Sequence, residues 1–291
     1  MVRSTIAFIG LGAIGLPMAE SIARAGFDVL GVEPSETGRA RADAVGIRSV
    51  PSADGIADAG TVVVMVATAE QLRAVVDTAL DAVSVAGTRW IVMSTVGPEA
   101  IRREAERIVA AGGRIVDAPV SGGVARAATG ELTLFVSGAA EDVDAVRPVL
   151  EAMGTAHVVG DAVGDGQSVK IVNQHLCAVH IAAAAEALAL AESLGLDAGF
   201  VLDVVGQGAA ASFMLSDRGP RMLQGPDAPV RSQVGIFVKD TGLVADAAAG
   251  ASVRLPVLAA ARERFLQAAA AGLSTADDSR VIETYRAEDA S

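Results

Sequence analysis

The sequence predicts an α/β domain built on a parallel sheet covered on both faces, followed by an all-helical domain, with one long helix joining them. Three observations carry this. Apolar runs of strand length alternate with helical patterns as far as Gly160. Beyond Gly164 the strand signal gives way to Ala/Leu-rich helical periodicity. The chain has 291 residues, 52% of them hydrophobic, enough apolar material for more than one core.

The elements read in order. "TIAFIG" is a strand, "LPMAESIARAG" a helix ending at Gly26, and "DVLGVE" the next strand. "TGRARADAVG" is a helix, "TVVVMVA" a strand, "AEQLRAVVDTALDAV" a helix and "RWIVMST" a strand. The helix in "GPEAIRREAERIVAAGG" starts at Pro98 and is closed by Gly112 and Gly113, the usual placement of each residue type. "RIVDAPV" and "LTLFVSG" are strands, "EDVDAVRPVLEAMG" a helix, and "AHVVG" a last short strand. Continuous apolar strands crossed by helices predict a parallel sheet. From Gly164 one helix of about 45 Å runs to the Leu194 region. Further helices are predicted in "DAGFVLDVVGQG", "FMLSDRGPRML", "VGIFVKDTGLVADAAAGA", "LPVLAAARERFLQAAAAG" and "DDSRVIETYRA". Loops are expected at Gly206 to Ser212 and Gln224 to Pro229. The domains are therefore 1–163 and 164–291.

Composition narrows the function classes. The net charge of −12 offers no basic stripe, so nucleic acid is not an expected partner. Cys177 is the sole cysteine, which excludes an intramolecular disulfide and a thiolate cage. His157, His175 and His180 are scattered, and no metal is expected. The start "MVRSTIAFIGLGAIG" has the basic-then-apolar order of a leader, but regularly spaced glycines break its apolar run, so it reads as strand and turn. "LCAVHIAAAAEALALA" is interrupted by His180 and Glu186 and falls short of a membrane span. A cytoplasmic protein with no membrane partner is the expectation.

"FIGLGAIGLPM" sets Gly10, Gly12 and Gly15 as G-x-G-x-x-G between a strand and a helix, the context that this motif requires. Gly10 allows the tight turn, Gly12 leaves room for a pyrophosphate, and Gly15 lets helix and strand pack closely. Leu11, Ala13 and Ile14 complete the turn, and the phosphates would meet a helix N-terminus. An ordinary glycine-rich turn is the alternative; position and context favour a Rossmann-type dinucleotide-binding domain. Glu33, 18 residues beyond Gly15, stands where an acidic residue takes the ribose hydroxyls of NAD and repels the 2′-phosphate of NADP. NAD is the expected cofactor, NADP the less favoured one.

"GDGQSVKIVNQ" places Lys170, Asn173, Gln174 and Cys177 at i, i+3, i+4 and i+7 on one helix face. Lysine is seldom buried without a task, and a partly desolvated ammonium gives up its proton more readily. Asn173 can both donate to and accept from a substrate hydroxyl. A surface lysine with its stem on the helix is the plain alternative.

Four blocks in order, "FIGLGAIGLPMA", "DAPVSGG", "GDGQSVKIVNQ" and "FVKD", make the chain resemble a β-hydroxyacid dehydrogenase, the family of 3-hydroxyisobutyrate dehydrogenase and tartronate semialdehyde reductase. The resemblance implies that Lys170 is the general acid/base, that Asn173 and Gln174 contact the substrate, and that Ser121, Gly122 and Gly123 bind its carboxylate. It also implies that Val66, Ala67, Gln71 and Thr95 line the cofactor and that Lys239 lies over it in a cleft that closes between the domains. Ala67 stands where the family often has proline, and Thr241 replaces a leucine; neither removes a reactive group. The stretches "NQHLCAVHIAAAAEALALAESLGLD", "SDRGPRMLQG" and "DDSRVI" are similar to the L-threonate dehydrogenase branch. For His180 a substrate contact and a packing role both stand.

The function expected is NAD-dependent oxidation of a small hydroxy acid, or reduction of the matching oxo acid. An imine or ketone reductase of the same fold and a non-catalytic NAD-responsive protein are the other readings. The alanine-rich helix faces suggest a homodimer or homotetramer. Because the Ser-Gly-Gly turn follows a strand end, a side chain at Gly122 is expected to block the acid without unsettling the fold.

Overall fold

The computed structural model describes residues 5–53, 59–82 and 85–286. Val83 and Ala287, the last residues of two predicted helices, lie outside these, as do the first four residues of the segment weighed as a leader. The chain forms two compact units, Met1–Lys170 and Ile171–Ser291.

In the first unit the order is β1 (Thr5–Ile9), α1 (Gly15–Arg24), β2 (Val29–Val32), α2 (Glu36–Ala44), β3 (Arg48–Val50), β4 (Ala59–Val64), α3 (Ala69–Ala82) and β5 (Arg89–Val92). It continues through α4 (Pro98–Ala110), β6 (Arg114–Asp117), β7 (Val120–Ser121), α5 (Gly123–Thr129), β8 (Leu132–Ser137), α6 (Ala140–Glu151) and β9 (Gly154–Gly160) to the start of α7 (Asp165–Ser193). The nine-stranded sheet runs β3-β2-β1-β4-β5-β6-β8-β7, with β9 also paired to β8. Strands β1 to β6 are mutually parallel, and the strand order reverses between β1 and β4. This is a Rossmann-type arrangement. Phe8, Met18, Ile22, Leu134 and Leu150 fill the core on one face. Leu72, Trp90, Ile101 and Ile108 belong to the other. The strands are apolar on both sides because both sides are covered.

The sheet departs from the all-parallel expectation at one edge. Strand β8 runs antiparallel to β6 and β7. Pro119, with no amide hydrogen, interrupts the predicted strand "RIVDAPV" and splits it into β6 and β7. The return from Gly122 to Glu131 holds only the short α5, less than the dozen or so residues that a parallel crossover takes. Neither β3 nor α5 was predicted; both are too short for a periodic signal.

The second unit is helical: the remainder of α7, α8 (Ala198–Val205), α9 (Phe213–Gln224), α10 (Val234–Gly250) and α11 (Pro256–Ala268). Asp197 and Ser212 cap α8 and α9 through their side chains. Asp278–Thr284, predicted as α-helix, is a 3-10 helix, and a further 3-10 turn, Gly225–Asp227, lies in the predicted loop. Ile181, Ala185, Leu188, Phe237 and Phe265 are core residues, the last two stacked with ring centroids 5.0 Å apart. Buried Arg221 donates from Nε to Asp277 Oδ1 at 3.0 Å, and Arg218 pairs with Asp278 at 2.9 Å, holding the 3-10 helix against α9. Helix α7 is long and apolar enough to cross a bilayer by composition, with an 18-residue window of mean hydropathy 1.4. That exceeds the reading made from its interrupting residues. In the fold, Ala178, Ile181, Ala185 and Leu188 of α7 are buried among the unit's own helices.

Candidate active site

In the first unit the predicted residues gather at the carboxyl ends of the parallel strands, flanking the point where strand order reverses. Open α/β sheets bind ligands in this position. Gly10 to Gly15 follow β1, Glu33 follows β2, Val66 and Ala67 follow β4, Thr95 follows β5, and Ser121 closes β7 at the sheet edge, with Gly122 and Gly123 after it.

The three motif glycines serve different purposes. Gly10 has φ +95°, and a Cβ there would meet Met65 O at 2.3 Å. A Cβ at Gly15 would meet Gly10 O at 1.9 Å. Both are therefore glycines for the protein's own packing. Gly12 is exposed, and a Cβ there would meet nothing within 4 Å. The space kept clear at Gly12 fits a group that approaches the backbone, as a pyrophosphate does. Ala13 is exposed beside it and Ile14 stands just before the first residue of α1, while the Leu11 side chain is fully buried in the core.

Glu33 holds the turn in place. Its Oε2 accepts from the Leu11 amide at 3.0 Å, and Oε1 accepts from the Ser35 amide at 3.0 Å. The carboxylate is thus set at the end of β2, next to the glycine turn, where ribose hydroxyls can donate to it. Arg39 donates to the carbonyls of Glu33 and Pro34 at 3.0 and 2.8 Å. On the other side of β1, the Val66 amide donates to Ser94 Oγ at 2.8 Å, and the Ala67 amide to Gln71 Oε1 at 2.8 Å. Gln71, in the first turn of α3, therefore shapes the loop after β4.

Ser121 and Gly122 are half-buried, Gly123 is exposed, and the turn leads into α5. Gly122 has φ +136°, and a Cβ would lie 2.9 Å from Arg126 and 3.1 Å from Leu132. The expectation that Gly122 tolerates a side chain is thereby corrected. Both the backbone conformation and the space behind it require glycine.

Lys170 lies in the early part of α7 and is 6% exposed, so it is not a surface lysine. Behind it is a polar cluster to which the sequence assigned no role. Asp117, at the end of β6, and Gln167 are both fully buried. Burial pushes the Asp117 carboxyl up to about 6, against hydrogen bonds from Gln167, Gly164 and Ser137 that pull it down. Both residues stood inside recognised blocks. Their signal was a carboxylate and an amide in apolar surroundings, which shows itself only once burial is known.

Asn173, Gln174 and Lys239 belong to the second unit. Asn173 Nδ2 donates to Gln174 Oε1 at 2.8 Å, and Gln174 Nε2 donates to Asp240 Oδ2 at 2.5 Å. Lys239 pairs with the same aspartate at 3.0 Å. Gln174, buried, thus ties α7 to α10, while Asn173 is half-buried on the helix that also carries Lys170. Among the described residues, no group of three or more His, Cys, Asp or Glu side chains converges on a metal position.

Comparison with known proteins agrees with this two-part fold. Residues 5–164 match the NAD-binding domain of 6-phosphogluconate dehydrogenase, and residues 164–285 match the NAD-binding domain of NADP-dependent 3-hydroxyisobutyrate dehydrogenase. An L-threonate dehydrogenase of Cupriavidus necator is 40% identical over 96% of this chain and 95% of its own. A crystal structure of 3-hydroxyisobutyrate dehydrogenase from Salmonella typhimurium superposes with a TM-score of 0.88 at 36% identity, covering 96% of this chain and 99% of that one. A 3-hydroxyisobutyrate dehydrogenase of Mycobacterium tuberculosis, solved with L-serine, gives a TM-score of 0.85 at 32% identity over 98% of this chain and 100% of that one. With its glycine turn, its strand-end residues and both domain matches, this chain belongs to the β-hydroxyacid dehydrogenase family of NAD-binding oxidoreductases.

Proposed function

We propose that this protein oxidises a small hydroxy acid, L-threonate foremost, with NAD as acceptor and Lys170 as the general acid/base. The observation that carries the reading is the burial of Lys170 in the same compact unit as the glycine turn and the Ser-Gly-Gly turn. Ser121, Gly122 and Gly123 supply a hydroxyl and backbone donors for the substrate carboxylate. Such hydrogen bonds are strong because the acceptor is charged. Lys170 takes the hydroxyl proton during oxidation and returns it in reduction. Asn173, nearly one turn further along α7, orients the hydroxyl. NAD, when bound, supplies the hydride acceptor. Gly12 leaves room for its pyrophosphate and Glu33 receives its ribose, with a charge that disfavours NADP. The 40% identity to an L-threonate dehydrogenase supports that acid over the others.

The test is turnover followed by nicotinamide absorbance, with NAD and NADP, on L-threonate, 3-hydroxyisobutyrate, glycerate and serine. L-Threonate with NAD is expected to give the highest kcat/KM. Lys170→Ala should lower kcat by about 10²-fold, the usual worth of general acid–base catalysis, with NAD affinity unchanged. Near-normal turnover of that variant removes the lysine from the chemistry. Equal kcat/KM for an acid and its neutral amide would favour an imine-reductase type of activity instead.

A further inference from the structure

We propose that Asp117 and Gln167 are positioning residues, which together lock the first turn of α7, and with it Lys170, in register with the Ser94–Gly97 segment after β5. The proposal rests on the reading of Lys170 as the proton-transfer group.

The Gln167 amide uses its whole hydrogen-bonding capacity. Its Oε1 accepts from the Val96 and Gly97 amides, each at 3.0 Å. Its Nε2 donates to Ser94 O at 2.9 Å and to Asp117 Oδ1 at 2.9 Å. The flipped amide would set its NH₂ against two backbone donors, so the orientation is determined. Asp117 completes the lock. Its Oδ2 accepts from the Gln167 backbone amide at 2.9 Å, the Gly164 backbone amide at 3.1 Å and Ser137 Oγ at 3.4 Å. Ser137 Oγ in turn accepts from the Gly166 amide at 2.9 Å. The Gly166 and Gln167 amides in the first turn of α7, which have no partner inside the helix, are satisfied from β8 and β6.

A local Ser or Asp at the helix start would cap α7 without burying a charge. Gly164 stands there instead, and the cap comes from a carboxylate 47 residues earlier in the chain. A buried carboxylate is costly to desolvate. What the remote cap supplies, and a local one does not, is a fixed position of the helix on the strand ends. Thr95, the residue expected to line the nicotinamide, lies between Ser94 and Val96, whose backbone groups Gln167 holds. Lys170 lies three residues beyond Gln167, about 4.5 Å along the helix. One amide therefore ties the proton-transfer group to the wall of the cofactor pocket. Ser94 extends the tie to β4, since its Oγ accepts from the Val66 amide at 2.8 Å.

The proposal makes an asymmetric prediction. Loss of register should lower the rate of the chemical step far more than it weakens binding, since a misplacement of about 1 Å costs on the order of 10²-fold in rate. Gln167→Leu keeps the volume and removes every side-chain hydrogen bond. Gln167→Glu keeps the acceptor for Val96 and Gly97 but sets a second carboxylate against Asp117. Each should lower kcat about 10²-fold while substrate KM and NAD affinity, the latter read by fluorescence titration, change by roughly threefold or less. The double variant Gln167→Glu with Asp117→Asn restores a donor–acceptor pair and should recover at least about tenfold over Gln167→Glu alone. All variants are assayed at a temperature where circular dichroism shows them folded. Wild-type kcat in folded Gln167→Leu or Gln167→Glu, a loss confined to KM or NAD affinity, or no recovery in the double variant would overturn the proposal. Lys170→Ala runs alongside. Loss there with retention in the Gln167 variants overturns the lock alone, whereas retention in Lys170→Ala overturns the lysine reading beneath it.

Discussion

Gly10 and Gly12 look equivalent in a motif and are not equivalent in the fold. A methyl group at Gly10 would sit against a carbonyl at 2.3 Å with φ at +95°, whereas one at Gly12 would enter open space. Gly10→Ala should therefore lower thermal stability sharply, through a clash and a disfavoured backbone conformation together. Gly12→Ala should fold with nearly wild-type stability and lose NAD affinity, by about tenfold or more, a loss of roughly 1.4 kcal/mol. Thermal melts paired with cofactor titration separate the two. A Gly12→Ala variant with unchanged NAD affinity would mean that the pyrophosphate does not approach this backbone.

The junction between β6 and α7 holds a carboxylate with pH-sensitive energetics. Asp117 titrates at about 6 in the fold, and desolvation is the main cause. An unfolded aspartate titrates near roughly 3.9, so the folded state holds this proton more tightly. Its contribution to stability is fully present below about pH 4, declines as pH rises through about 6, and is level above that. The change is on the order of 3 kcal/mol, at about 1.4 kcal/mol for each pH unit that separates the folded from the unfolded titration. Urea denaturation of the wild type and of Asp117→Asn between about pH 4 and 7 should give a difference that falls over this window. A flat difference would show that Asp117 is not raised. At neutral pH the group is ionised, which suits a carboxylate that only accepts.

At the scale of the whole molecule, α7 carries apolar residues on an exposed side as well as on the side that its own unit buries. Val172, Leu176 and Leu190 are 60%, 47% and 58% exposed. With Val179, Ala183 and Ala187 they follow a spacing of three and four residues, which puts them on one stripe. A stripe of this kind left in water is a candidate contact surface. We infer a homodimer or homotetramer that covers it with a second copy of the chain. Light scattering on the purified protein should give a multiple of the 29.3 kDa chain mass. Leu176→Glu with Leu190→Glu should move the mass towards the monomer. A monomeric wild type at micromolar concentration would exclude the self-association.

Much of this protein was legible before its fold. The glycine turn and the alternation of strands and helices are local patterns, because a turn, a cap or an amphipathic face is decided by residues a few positions apart. The long helix is legible too, since nothing between Asp165 and Ser193 breaks it. Other features depend on residues distant in sequence and had no local signal. The antiparallel edge follows from what Pro119 interrupts and how little chain returns. Intolerance of a side chain at Gly122 comes from Arg126 and Leu132 packed behind it. The tie between Asp117 and Gln167 spans 50 residues. Sequence alone determined which chemical groups the protein owns and most of the elements that bear them. Only tertiary structure decided which of those groups lose their water, and a carboxylate or an amide acquires a role of this kind through desolvation and the partners that replace the solvent.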